Sequence, residues 1–160
     1  LPVLRLAPVK ENRNNCPFLT GDHCAIHDAE PLVCALYPLA QEISRKGQVS
    51  YFLQPTGCGG QVIEARVEDY LARYDVPARE QTDVRWAQTC MTLEDTVEQL
   101  EALLSPVLVR RMQDKLWQAL YFSYDYAAPF LPQLEKKLHW LDAEFAKLTE
   151  YQQKRNNTSK

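Results

Sequence analysis

Beyond residue 60 the apolar side chains recur at helical spacing, and before it they do not. Val62, Ile63, Val67, Tyr70 and Leu71 fall on one helical face, and Tyr74, Asp75 and Pro77 are expected to close that element. Thr92-Leu93-Glu94-Asp95 reads as an N-cap followed by two acids that favour the helix dipole, opening a second helix through Val97, Leu100, Leu103 and Leu104. Ser105-Pro106 restarts the helical pattern, with Ser105 as cap and Pro106 at the first position, where its missing N–H costs nothing. The spacing predicts a helix over 107–124 that carries Trp117, Tyr121, Phe122 and Tyr124. Such an aromatic stripe serves either a core or a ligand pocket, and a core is the expectation. From about Pro132, the residues Leu134, Leu138, Leu141, Phe145 and Leu148 step by four, three, four and three, a heptad seam of about two heptads. So short a seam is expected to dock on the chain's own helices, the alternative being a homodimer or a protein partner's helix.

Residues 1–60 have a different character, rich in Pro, Asn and Gly, with one strand predicted over 49–53 and a short one over 3–6. The predicted fold is therefore mainly α: a Cys-rich loop region with one or two short strands, packed on a helical body. A chain of 160 residues with 46% hydrophobic content can bury one sizeable core, so a single domain is expected over 1–160. Within it, 1–60 forms the cysteine region and 61–155 the helical body. A net charge of −3 with scattered basic residues excludes a strongly basic nucleic-acid footprint. No apolar run reaches the length of a membrane span and no signal-peptide pattern stands at Leu1, so neither nucleic acid nor membrane is expected as a partner.

The chemistry-bearing residues are cysteines. Cys16, Cys24, Cys34 and Cys58 crowd the first part of the chain, and thiolates are the ligands preferred by zinc and by iron–sulfur clusters. Their spacing contains no Cys-x2-Cys knuckle, so it is not that of a zinc finger or ribbon. Free cysteine also packs as an ordinary small hydrophobe. The neighbours of these cysteines argue for ligation instead. Asn14, Asn15 and Pro17 surround Cys16; Gly21, Asp22 and His23 precede Cys24; Gly57, Gly59 and Gly60 flank Cys58. Loops of that kind bury little, and a shared ion is an effective way to order them. Five cysteines is an odd count, which fits a reducing cytoplasm with thiolate ligands better than a secreted disulfide framework. Cys90 is the remaining one, expected as a buried structural thiol. His23 and His27 flank Cys24 as substitute ligands, although exposed loop histidines are commoner. The sequon Asn156-Asn157-Thr158 has meaning only in a secretory compartment.

The segments Cys16-Pro17-Phe18-Leu19, Cys24-Ala25-Ile26-His27, Glu30-Pro31-Leu32-Val33-Cys34 and Leu36-Tyr37-Pro38, followed by Gly57-Cys58-Gly59-Gly60, resemble the YkgJ family of cysteine-cluster proteins. That family is described as a zinc- or iron-chelating domain and includes the flagellin lysine methylases. The resemblance covers roughly residues 14–75 and implies a metal site on Cys16, Cys24, Cys34 and Cys58. Where the family usually carries an aromatic, an arginine and a second arginine, this chain has His27, Glu30 and Ala35, so the cationic partners of an anionic thiolate site are missing. The family also opens with a compact cysteine cluster upstream. The chain begins at Leu1 without an initiator methionine, and a preceding segment contributing further ligands is the expectation.

Enzyme signatures are absent from the sequence: there is no Gly-x-Gly-x-x-Gly, phosphate loop, Gly-x-Ser-x-Gly or His-Glu-x-x-His. Two functions follow. One is a cytoplasmic metal-binding protein whose ion is structural or transfers electrons; the other is a protein-modifying enzyme or accessory factor related to the flagellin lysine methylases. Loose spacing and an upstream cluster in similar proteins suit iron, including an iron–sulfur cluster, with zinc able to occupy the same thiolates.

Overall fold

The computed structural model describes Leu1, residues 16–55 and residues 66–158. The predicted strand over 3–6, the residues Val62 and Ile63, and Cys58 lie outside the described residues. The fold is mainly α, with two small antiparallel two-stranded sheets among the described residues, and it divides into two compact units whose boundary falls after Arg85, inside a helix.

The first unit holds β1 (Leu19–Thr20), β2 (His23–Cys24), a 3-10 turn (His27–Ala29), the short α1 (Leu32–Ala35), β3 (Leu39–Ile43), β4 (Val49–Leu53) and α2 (Val67–Ala72). The predicted strand over 49–53 is β4. It pairs with β3 in the register Leu39↔Leu53 through Ile43↔Val49, and Gln54 N–H extends the ladder to the Pro38 carbonyl at 2.8 Å. Leu36, Leu39, Leu71 and Val76 are its buried core. Tyr70 and Leu71, expected on one face of α2, do share the work: Leu71 is buried, while the Tyr70 hydroxyl lies 3.2 Å from the carbonyls of both Ala35 and Tyr37. This ties α2 to the backbone just after Cys34.

Asp75 takes a positive φ of 53° and ends α2's turn, and α3 (Val76–Leu103) begins at the next residue. The expectation that Pro77 closes an element is therefore corrected. It stands in the first turn of α3, where proline is tolerated because that N–H has no intrahelical partner. The expected helix start at Thr92 is corrected as well. Thr92 lies inside α3 and its hydroxyl donates back to the Gln88 carbonyl at 2.9 Å, as mid-helix threonines do. No glycine or proline interrupts the chain between Pro77 and Leu103, so nothing stops the helix there.

The second unit is built from the C-terminal part of α3 with α4 (Pro106–Tyr121) and α5 (Phe130–Thr158). Ser105 is the N-cap in extended conformation, its carbonyl accepting from Leu108 and Val109 N–H at 2.9 and 3.0 Å. The cap works through its backbone, since the hydroxyl makes no capping bond. α4 ends at Tyr121 rather than Tyr124, where Ser123 turns the chain at φ 60°. It buries Leu108, Met112, Leu116, Ala119 and Leu120, and these pack with Leu93 and Val97 of α3 and Leu141 and Phe145 of α5. Leu134 and Leu141 are fully buried, and Leu138 and Leu148 pack partly buried on the same core. The heptad seam is thus used within the chain. Lys115 of α4 reaches Glu144 of α5 at 2.9 Å over it. Among the described residues no helix is long and apolar enough to cross a membrane.

One buried polar group stands out. Thr89, 3% exposed, holds its hydroxyl in the interior with no hydrogen-bond partner. An unmade buried hydrogen bond costs about 1–3 kcal/mol, and valine has nearly the same shape. Thr89→Val is expected to raise stability by about 1 kcal/mol, read as a higher urea midpoint at unchanged slope.

Candidate metal centre

The three described cysteines of the N-terminal cluster sit on three successive local structures. Cys16 opens a turn, its carbonyl accepting from Leu19 N–H at 3.1 Å. The chain then forms the β1–β2 hairpin around Gly21-Asp22, with Leu19 opposite Cys24 and Thr20 opposite His23. Gly21 occupies the first central position with φ 65°, as two-residue hairpin loops ask of glycine. Nothing lies within 4 Å of where its Cβ would stand, so the demand is on backbone conformation and not on space. Ala25 N–H to the Phe18 carbonyl at 2.8 Å extends the pairing past Cys24. Pro31 then caps α1, and Cys34 N–H donates to the Pro31 carbonyl at 2.8 Å.

These turns bring the thiols into one electrostatic neighbourhood. Cys34 is exposed as a residue, yet its thiol is pushed above the usual range, first by partial desolvation and then by the negative charges of Glu30, Cys16 and Cys24. Nearby negative charge disfavours the Cys34 thiolate, and a cation beside it would reverse that balance. Glu30 is the member that the metal-ligand reading of the sequence did not include. Its side chain is only 15% exposed and its carboxylate lies 3.5 Å from His27 Nδ1. The signal available for it was position alone, four residues before Cys34 in a segment that turns into α1.

The remaining candidates are placed as follows. The four described cysteines are free thiols, and Cys58 is outside the described residues. Among the described residues, no three His, Cys, Asp or Glu side chains are positioned to hold a metal ion as they stand. His23 is exposed and paired with Asp22, and His27 is exposed beside Glu30. Cys90, expected to be buried, is partly buried in α3, where desolvation first and Glu94 second raise its thiol. His139 is exposed on α5, its Nδ1 2.8 Å from the Glu135 carbonyl.

Sulfur is a soft donor, which suits zinc or iron rather than magnesium or calcium. Cys16, Cys24 and Cys34 would supply three thiolates, and a four-thiolate set would need Cys58 or a further ligand. Comparisons with protein-family models, with curated proteins and with solved structures return no match for this chain.

Proposed function

We propose that the protein is a metal-binding protein of the cytoplasm, in which Cys16, Cys24, Cys34 and Cys58 hold zinc or iron, the latter as an ion or an iron–sulfur cluster. The observation that supports this reading is that the Cys34 thiol feels the charges of Cys16 and Cys24, which sit on a turn and a hairpin preceding the helix that carries Cys34. A cation bound here would displace the thiol proton of Cys34 and pair with the resulting thiolate. The resemblance to the YkgJ-type cysteine-cluster proteins supports the same assignment. The ion's role is structural or in electron transfer.

Metal analysis of protein purified without oxygen tests this. Wild-type protein is expected to carry close to stoichiometric metal, Cys24→Ser and Cys34→Ser to lose most of it, and Cys90→Ser to keep it. Colour that bleaches on reduction, with acid-labile sulfide, identifies an iron–sulfur cluster, whereas zinc with its filled d shell gives neither. Metal-free wild-type protein, or content unchanged in both cluster variants, overturns the proposal.

A further inference from the structure

The aromatic residues of the second unit do not all go into its core. Trp86, Tyr121, Tyr124, Tyr126 and Phe130 line a cleft of about 410 Å3, and Asp125 is the one charged side chain among the lining residues. The volume lies in the range of small-molecule sites. Trp86 stands 6.1 Å from Tyr121 and 6.0 Å from Phe130 between ring centroids, inclined at 65° and 58°. Tyr124 stands 5.2 Å from Phe130, inclined at 31°. The cleft is therefore walled mainly by aromatic side chains.

The cleft is held in shape before any ligand arrives. Gln133 accepts from Asp125 N–H at 2.8 Å and its amide nitrogen lies 3.0 to 3.1 Å from the carbonyls of Asp125, Ala128 and Pro129. The Tyr124 hydroxyl donates to the Ala119 carbonyl at 3.0 Å, and Asp125 Oδ1 accepts from Ala127 N–H at 2.9 Å. Fixing the loop beforehand lowers the entropy lost on binding. One of these rings already attracts a cation within the chain: Lys137 Nζ, which donates to the Phe122 carbonyl, sits 4.6 Å from the Tyr124 centroid.

Electron-rich faces and a single carboxylate select among ligands. An anion is repelled by both, a hard metal ion lacks an oxygen cage, and a neutral apolar molecule makes no use of the charge. We propose that the cleft binds an organic ammonium cation with an apolar shell, quaternary or methylated, carried on a small molecule or on a methylated lysine side chain.

Isothermal titration of the full chain with choline, with 3,3-dimethylbutan-1-ol as its neutral isostere, and with a short peptide containing trimethyl-lysine tests this. The cations are expected to bind and the isostere to bind roughly tenfold more weakly or worse. Asp125→Asn keeps an acceptor for Ala127 N–H and is expected to weaken choline about fivefold. Tyr126 is fully exposed, so Tyr126→Ala leaves the fold intact and is expected to weaken choline by a similar factor. Tighter binding of choline identifies a small-molecule ligand, and tighter binding of the peptide a protein-borne one. Equal binding of the isostere, no binding of either cation, or unchanged affinity in both variants overturns the proposal.

Discussion

Leu141→Asp is expected to unfold the second unit or bring it to the edge of unfolding. Leu141 is fully buried, packed in the core that Met112 and Leu116 of α4 share with Phe145 of α5. The substitution removes the transfer energy of a buried leucine, about 1.5–3 kcal/mol. It also places a carboxylate where no basic side chain is buried among the described residues, which either costs several kcal/mol more or forces the acid to stay protonated. Against a typical domain stability of about 5–15 kcal/mol the sum takes most of what is available. Thermal melting followed by circular dichroism reads the loss, and analytical ultracentrifugation alongside it separates a damaged core from a broken dimer. Asp142→Asn, on the exposed neighbour, should change stability by no more than about 0.5 kcal/mol. A Leu141→Asp protein that melts like wild type and differs only in assembly state would show that the seam serves a partner after all.

The same seam shows which parts of the fold were legible in the sequence. α5 is readable because its stripe is uninterrupted, and five apolar residues in heptad positions leave one orientation that buries them all. α4 is readable because Ser105-Pro106 marks its start chemically. β4 is readable from its Val-Ser-Tyr-Phe-Leu composition, whereas its partner β3, Leu-Ala-Gln-Glu-Ile, has no aromatic and a single β-branched residue, Ile43, at its end. That strand exists because the Ser44–Gln48 turn folds it back on β4, with Gly47 at φ 78°. The start of α3 was hidden for a specific reason. Its inner face in the second unit runs through Trp86, Thr89, Leu93, Val97 and Leu100, and the second of these is a threonine. A polar residue in the stripe cut the periodicity short just before Thr92, which then read as a cap.

The candidate site was legible to a different degree. Composition pointed to Cys16, Cys24 and Cys58 because turn formers surround them, and among the described residues Cys16 and Cys24 do lie on a turn and a hairpin. The hairpin follows from Gly21-Asp22, and α1 follows from Pro31. Glu30 escaped notice because no spacing rule marks a single carboxylate, and the structure shows its charge acting on the Cys34 thiol. The aromatic stripe had the opposite fate. Read as core, it divides instead, because α4 stops at Tyr121 and the chain turns at Ser123, carrying Tyr124 and Tyr126 out of the helical register and into the rim of a cleft.

If the proposed site holds metal, acidification is expected to strip it and leave the helices standing. The Cys34 thiol is raised above its ordinary range in the metal-free protein, by desolvation and then by Glu30, Cys16 and Cys24, so near neutral pH it carries its proton. Metal must displace that proton, so binding releases it. The sign follows directly. Affinity climbs with pH until the free Cys34 thiol would ionise unaided, and it falls as pH drops, by up to about a factor of ten per pH unit for that proton. The core of the second unit is made of Leu, Met, Val, Ala and Phe side chains that do not titrate. A strong chelator at neutral pH should act as acid does, loosening the cysteine segment while the ellipticity from α4 and α5 persists. Competition titrations across pH 6 to 8, paired with far-ultraviolet circular dichroism before and after chelation, measure both halves. A pH-independent affinity would remove the thiols from the site. Global loss of helix on chelation would mean that the metal holds the whole chain and not the cysteine segment alone.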